Sequence, residues 1–419
     1  MKRKIKIKNV LIIIGSLLLI IILLVLILNN NFKKENNDLE NKKEEEKIVI
    51  TDFKNMKLSE VEAYSKENNL ELTINYDYND LEKDLVINSE LIDNKLTILV
   101  SKGSIPYESY KEKKVNELGE VPIMMYHGIE NITNKYTGGN IDKDGYNRTS
   151  KAFQEDLKFY YEKGYRMVRL IDYANGIINT SLGYSPLVLT FDDGNANNFK
   201  VTGKDETGNL IFDPMSAIGI LESFKKEHPD MNVTATFFLN SGLCNQPNYN
   251  EEIIKWLVEN GYDVGNHTTN HANFLNINTS KTQEVVGKLY KTLDSIIPGK
   301  YVPIVALPFG SPYSKNHSNY PYILNGEYDG FTYQTEVALR VGWESEVSPF
   351  DLRFDKTFLK RCRAYDNDGV EFDIKMNFKL LDKDRYISDG DKDTIVISKE
   401  KESKLNTNTN LKIITYEEA

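Results

Sequence analysis

The stretch Leu187-Val188-Leu189-Thr190-Phe191-Asp192-Asp193-Gly194 joins an apolar run to two adjacent carboxylates and a glycine. An apolar run of this length bounded by turn residues reads as a buried strand. Asp192 and Asp193 then stand at its C-terminal end, where parallel strand-helix folds assemble their active sites. Neighbouring carboxylates at the mouth of a core repel, which raises the pKa of one unless a cation neutralises them. A plain Asp-Gly turn looks the same locally, so the pair gains meaning only from its surroundings.

Outward from this strand the chain alternates strands and helices. Pro122 to Tyr126 reads as a second buried strand. A helix begins with Asp213 as cap and Pro214 in its first turn and stops before Pro229. Strand Val233 to Leu239 follows, then a helix from Asn250 to Gly261 with Glu251 and Glu252 in its first turn, then strand Tyr262 to Asn266. Ser280 and Gln283 suggest a capping box for a helix whose Val286, Leu289, Leu293 and Ile296 share a face. Pro298-Gly299 ends it before strand Tyr301 to Leu307. Such alternation implies parallel strands covered by helices, either a barrel or an open sheet. The segment Gly194 to Pro214, rich in Gly, Asn and Asp, is expected to shape a cleft rim. Beyond Phe350 the pattern fades.

The second signal is Asn266-His267-Thr268-Thr269-Asn270-His271, directly after a strand, in a chain with only five histidines. A spacing of four places both imidazoles on one side of a helical turn. With one carboxylate of the Asp pair they make three N and O ligands, the set of a catalytic zinc site with an open position. His228, before Pro229, reads as a favourable contact at a helix end.

On Thr190 to Gly194 and His267 to His271, the sequence resembles the polysaccharide deacetylases of carbohydrate esterase family four. Val121-Pro122-Ile123-Met124-Met125-Tyr126-His127-Gly128 is also similar to the opening strand of its bacterial members. The resemblance spans about 121–310. It implies a distorted (β/α) barrel with fewer strands than a full eightfold one, and metal-dependent de-N-acetylation of a cell-wall polysaccharide such as peptidoglycan. By the same resemblance Asp193, His267 and His271 bind Zn2+ or another divalent metal such as Co2+. Asp192 is then the general base, and a backbone N–H near Phe309 helps hold the oxyanion. A bound zinc acidifies water and polarises a carbonyl, which suits attack on an acetamide.

The third family motif has an Arg two positions before its Pro, but this chain reads Ala306-Leu307-Pro308-Phe309-Gly310. Arg340, Arg361 and Arg363 are possible replacements, each also readable as a surface ion pair. The family's late histidine, the general acid, is missing too, since no histidine follows His317. His317 in a polar loop and His127 at the end of the opening strand are the candidate acids. These departures leave an alternative: a non-catalytic wall-binding protein with a degenerate deacetylase fold.

The N-terminal part reads differently. Lys2, Arg3, Lys4, Lys6 and Lys8 precede an uncharged run from Val10 to Leu28, about the length of a membrane-spanning helix. Leu26 to Phe32 offers no small-residue cleavage site. The expectation is a cytoplasmic segment at 1–9, a single-pass anchor at 10–28 and an extracytoplasmic remainder. A disordered spacer at 29–47 follows, then a small α+β domain at 48–103. A polar linker at 104–120, the deacetylase domain at 121–402 and a solvated tail at 403–419, with at most one short strand at Leu411 to Thr415, complete the chain. The small domain has a helix near Leu58 to Asn68 and strands Leu70 to Tyr76 and Leu96 to Ser101. In Ser59 to Ala63, Asn69-Leu70 and Ile98 to Gly103 it is similar to PASTA modules, which implies contact with peptidoglycan; a plain spacer is the other reading. A net charge of −10 excludes a nucleic-acid partner. Cys244 and Cys362, the only cysteines, are too few for a disulfide scaffold or a Cys-based zinc site, though outside the cell they could form one pair.

Overall fold

The computed structural model describes residues 52–79, 81–132, 141–143, 145–366, 369 and 373–418. The expected anchor and spacer lie outside them, and among the described residues no helix is long and apolar enough to cross a membrane. The chain divides into two compact units, the second beginning at Ser104.

In the first unit, helix α1 (Leu58–Glu67) covers a sheet of β1 (Glu71–Asp77), β2 (Val86–Ile92) and β3 (Lys95–Ser101) in the order β1-β3-β2. Strand β3 is parallel to β1 and antiparallel to β2. Period-2 alternation turns Leu96, Ile98 and Val100 inward, where they meet Val61 of α1, Phe53 and Val86. Strand β2 escaped the sequence reading because a register shift between Val86 and Asn88 breaks its alternation.

The second unit is built on an eight-stranded, all-parallel sheet. Its strands are β4 (Ile123–Tyr126), β5 (Tyr165–Met167), β6 (Ser185–Phe191), β7 (Thr236–Leu239), β8 (Asp263–Asn266), β9 (Ile304–Ala306), β10 (Val337–Leu339) and β11 (Cys362–Arg363). The order is β10-β9-β8-β7-β6-β4-β11, with β5 on β6. Helices α2 (Ser150–Glu162), α3 (Ala217–Glu227), α4 (Asn250–Glu259) and α5 (Thr279–Ile296) lie among these strands, and α6 (Ile374–Leu381) follows β11. Leu359 bridges Leu339 of β10, while Cys362 and Arg363 pair with Met124 and Met125 of β4. One short stretch therefore touches both edges of the sheet, which is curled.

Each strand divides its side chains between two cores. Met124, Tyr126, Leu189, Phe191, Phe237 and Val264 pack outward against Phe153, Leu157, Leu221, Ile254 and Leu289 of the helices. Ile123, Val188, Phe238, Ile304, Ala306 and Leu339 fill the inner side. This two-sided burial is why the strands read as continuous apolar runs. Truncating fully buried Phe153 to Ala would cost about 3–5 kcal/mol.

Several local expectations change. Helix α3 is capped by Ser216, which accepts from the Gly219 N–H, while Asp213 serves the preceding turn by accepting from the Met215 N–H. Helix α5 is capped by Asn278, accepting from the Lys281 N–H, and not by a Ser280–Gln283 box. The expected polar linker contains a helix at Tyr107–Lys113 and buries Val115, Glu117 and Leu118. The one short strand expected in the tail, Leu411 to Thr415, forms as β13 (Lys412–Tyr416), but it is not left to solvent: it pairs in parallel with β12 (Thr394–Ser398). Its Tyr416 is buried and donates to the Val115 carbonyl at 2.7 Å. Isolated apolar residues in polar stretches hid these contacts: their partners lie some 300 residues away, beyond any local periodicity.

Candidate active site

The alternation that builds the barrel also places its chemistry. Leu189 and Phe191 face the helices, so Thr190 and Asp192 face inward; Val264 faces outward, so His267 faces inward. Asp192 is fully buried, its N–H donating to the Tyr126 carbonyl. The chain then turns through left-handed residues at Asp193 (φ 72°) and Gly194 (φ 61°). That turn sends the two neighbouring carboxylates in different directions, Asp192 into the barrel and Asp193 to the mouth. A Cβ on Gly194 would meet the Leu243 carbonyl oxygen at 1.9 Å, so glycine is required there. Two amides that the sequence reading missed hold the turn: Asn240 Nδ2 donates to the Asp193 carbonyl at 3.0 Å and Asn245 Nδ2 to the Gly194 carbonyl at 2.8 Å. Position directly after β7 was the available signal for Asn240.

The histidine pair is not on a helical turn as its spacing suggested. Thr268 (φ 62°) and His271 (φ 46°) are left-handed, and Asn266 Oδ1 caps the bend by accepting from the Thr268 N–H at 2.8 Å. This bend brings His267 Nε2 to 3.3 Å and His271 Nε2 to 3.5 Å from Asp193 Oδ1. One ligand atom from each of the three residues lies within 4.8 Å of the others.

These residues suit a divalent ion. The Ala306 carbonyl lies 2.8 Å from His267 Nδ1, so that nitrogen carries the proton and Nε2 presents its lone pair. His267 Nε2 is buried and has no hydrogen-bond partner. Burial alone would lower the pKa of His267, but Asp192 and Asp193 together hold it above the ordinary value. The cluster thus favours a positive charge where the two imidazoles meet Asp193, and an ion held by Asp193, His267 and His271 would supply it.

The arginine missing before Pro308 has a counterpart from the far end of the chain. Arg361, carried between the two sheet edges, is fully buried and grips Asp192 with both arms, Nη1 to Oδ1 and Nη2 to Oδ2 at 2.7 Å each. Its Nε donates to the Arg340 carbonyl at 2.8 Å, and Nη1 also reaches Thr190 Oγ1 at 3.2 Å. Burial works to raise the Asp192 pKa, but the Arg361 guanidinium prevails and holds it well below the carboxylate range. The surface ion pair expected for Arg361 is therefore replaced by a buried one. Arg340 lies over the Phe358 ring at 4.6 Å, and Arg363 lies between the rings of Tyr146 and Trp343.

The two candidate acids separate. His127 follows β4 at the mouth; its Nδ1 is buried without a hydrogen-bond partner and its ring meets Tyr146 edge-on at 5.1 Å. Burial holds its pKa below the ordinary value, against the opposing pull of Asp192 and Asp193. His317 stays within its own loop, its Nδ1 accepting from the Asn319 N–H and its N–H reaching the Ser314 carbonyl. Phe309 (φ 59°) stands half-exposed with its ring 4.5 Å from that of His271. His228 stacks on Tyr161 and Phe224. Cys244 and Cys362 are free, buried thiols, and burial raises the pKa of each.

Residues 181–321 match the family model of polysaccharide deacetylase. This stretch is a polysaccharide deacetylase domain, an enzyme domain, and it contains Asp192, Asp193, His267 and His271 but not Arg361. No curated protein sequence matches the chain. Among solved structures it is similar to the Streptococcus pyogenes deacetylase PplD in complex with acetate, with 16% identity, 59% of this chain and 93% of that one covered, and a TM-score of 0.44. It is also similar to a de-N-acetylase from Aggregatibacter actinomycetemcomitans, with 13% identity, 62% and 99% covered, and a TM-score of 0.41.

Proposed function

We propose that the protein removes N-acetyl groups from a cell-wall polysaccharide, peptidoglycan in the first place, using a divalent metal held by Asp193, His267 and His271. The observation that carries this reading is the orphaned, buried Nε2 of His267 beside Asp193, one residue from a carboxylate pinned by Arg361. Zn2+ or Co2+ bound there would supply a Lewis acid that acidifies water and polarises the acetyl carbonyl. The remaining work belongs to side chains. His267 is fixed in one tautomer by Ala306. Asp192, ionised and immobilised by Arg361, accepts the proton of the attacking water. His127, at the barrel mouth with a buried Nδ1 that has no hydrogen-bond partner, is the side chain placed to take up a proton and pass it to the leaving amine. His317, confined to its loop, takes no part.

The alternative of a non-catalytic wall binder drew its support from the missing arginine and the missing late histidine, and Arg361 answers only the first of these. The rest of the proposal draws on the sequence: an anchor at 10–28 that leaves the barrel outside the membrane, and a PASTA-like unit at 48–103 that touches peptidoglycan or is a plain spacer off the membrane.

The test is acetate release by the full chain from N-acetylated peptidoglycan and from chitooligosaccharides, with Zn2+ or Co2+, after chelation, and in Asp192→Asn. Release that needs metal and vanishes in Asp192→Asn is expected. Stoichiometric metal binding, lost in His267→Ala, with no acetate released from any substrate would restore the binding-protein reading.

A further inference from the structure

We propose that Arg363 recognises a carboxylate on the sugar polymer beside the acetamide being cleaved, so that the site selects an acidic glycan over a neutral one. The inference rests on the deacetylase reading above and adds the charge of its substrate.

Arg361 and Arg363 are two apart on an extended segment and so project to the same side of the sheet, with Cys362 between them turned outward into the helix-facing core. Arg361 reaches inward and is saturated by Asp192. Arg363 sits one step nearer the mouth. Its guanidinium carbon lies 4.6 Å from the Tyr146 ring centroid and 5.5 Å from that of Trp343, between two aromatic side chains that are each 43% exposed. Among the described residues no carboxylate pairs with it, and its Nε is buried without a hydrogen-bond partner. Arg361 is spent on Asp192; Arg340 shares the orphaned Nε and an aromatic neighbour, Phe358, but is not held between two exposed rings as Arg363 is.

The placement is built into the chain. Gly145, at φ 76°, lets its loop close over the arginine, since a Cβ there would meet Arg363 Cδ at 3.0 Å. Tyr146 in turn touches the ring of His127, the candidate acid at the barrel mouth. Two ring contacts therefore link the guanidinium to His127 at the mouth. Aromatic faces offer flat, amphipathic surfaces to a sugar ring. A guanidinium held between them loses little freedom when it takes a carboxylate on two parallel N–H donors.

At a net charge of −10 the chain exerts no long-range pull on an anionic polymer. Affinity for one must come from a local cation, and Arg363 at the mouth is such a group, with no carboxylate partner among the described residues.

The experiment uses the full chain with three soluble oligosaccharides of equal length: a neutral N-acetylglucosamine oligomer, one containing muramic acid, and one containing a uronic acid. Binding is read from Trp343 fluorescence in a Trp256→Phe background, which leaves one tryptophan, and acetate release is followed in parallel. One or both acidic oligomers are expected to bind at least tenfold tighter than the neutral one, with a preference that shrinks as salt rises; which acid wins identifies the source of the carboxylate. Arg363→Gln should bring acidic binding to the neutral level and leave neutral binding within twofold, which also shows that the variant is folded. Arg363→Lys, keeping charge and stem, carries the same comparison should the Gln variant not fold, and should lose at least threefold of the preference. Equal binding of all three oligomers by wild type, or equal losses for acidic and neutral oligomers in a folded variant, overturns the inference. Arg363-dependent preference without acetate release would keep the site and sink the deacetylase reading. Acetate release without preference does the reverse.

Discussion

The guanidinium of Arg361 lies along the carboxylate of Asp192, two parallel hydrogen bonds of 2.7 Å joining side chains that solvent does not reach. Breaking such a pair from one side leaves an uncompensated buried charge, which costs about 3–5 kcal/mol. Arg361→Met should therefore lower unfolding stability by roughly that amount. Asp192→Asn with Arg361→Met should cost less than the sum of the two single changes, because neither charge is then stranded. Urea unfolding of the three variants decides it. A loss below about 1 kcal/mol in Arg361→Met, the range of exposed pairs, would show that the pair is open to water.

The Asp193–Gly194 turn is the next place where one atom matters. In Gly194→Ala the new methyl runs into the Leu243 carbonyl, and the φ of 61° is itself unfavourable. Both effects act on the residue beside Asp193, so stability should fall by more than the 1–3 kcal/mol typical of a strained residue, and Co2+ or Zn2+ affinity should fall with it. Gly330→Ala is the control: its φ is 73° but nothing lies within 4 Å of the added carbon. It should show only the cost of the left-handed backbone and leave metal binding unchanged. Equal metal affinity in wild type and Gly194→Ala, by calorimetry, would detach the turn from the site.

The two candidate acids give a sharper contrast. Proton transfer by a positioned side chain contributes about 100- to 10,000-fold. His127→Gln should lower kcat within that range with little change in KM, and His317→Gln should stay within about twofold of wild type, as a loop histidine outside the reaction must. A large kcat loss in His317→Gln instead would mean that its loop closes over the substrate.

What the sequence made legible, and what it did not, follows from the range of the contacts involved. Strands β4, β6, β7, β8 and β9 could be read because each is buried on both sides, and both metal-ligand motifs could be read because they sit directly after such strands. Their local geometry could not: the His267–His271 spacing fits a helix, and only the left-handed Thr268 and His271 show a bend. Arg361 stood as one of three arginines because its role is fixed by a partner 169 residues earlier. It stands just before a strand of two residues, too short to show any periodicity.

A last consequence lies away from the mouth, at Glu117. Its carboxylate accepts from the Tyr386 O–H at 2.8 Å, the Val396 N–H at 2.7 Å and the Asp389 N–H at 3.3 Å, in a segment that reads as linker in the sequence. Burial first, then the charge of Asp389, pushes the Glu117 pKa well above the usual carboxylate range, and burial raises Asp389 as well. A carboxyl raised on folding contributes stability that is complete below its unfolded value of about 4.3 and is lost as pH climbs through the folded value. The urea midpoint of wild type should therefore decline from mildly acidic toward alkaline pH. Glu117→Gln cannot ionise; its amide must face an N–H donor and lowers stability at every pH, but its decline with pH should be shallower. The comparison rests on slopes, so the constant loss cancels. Parallel slopes in the two proteins would mean that Glu117 keeps the same proton in the folded and unfolded chain.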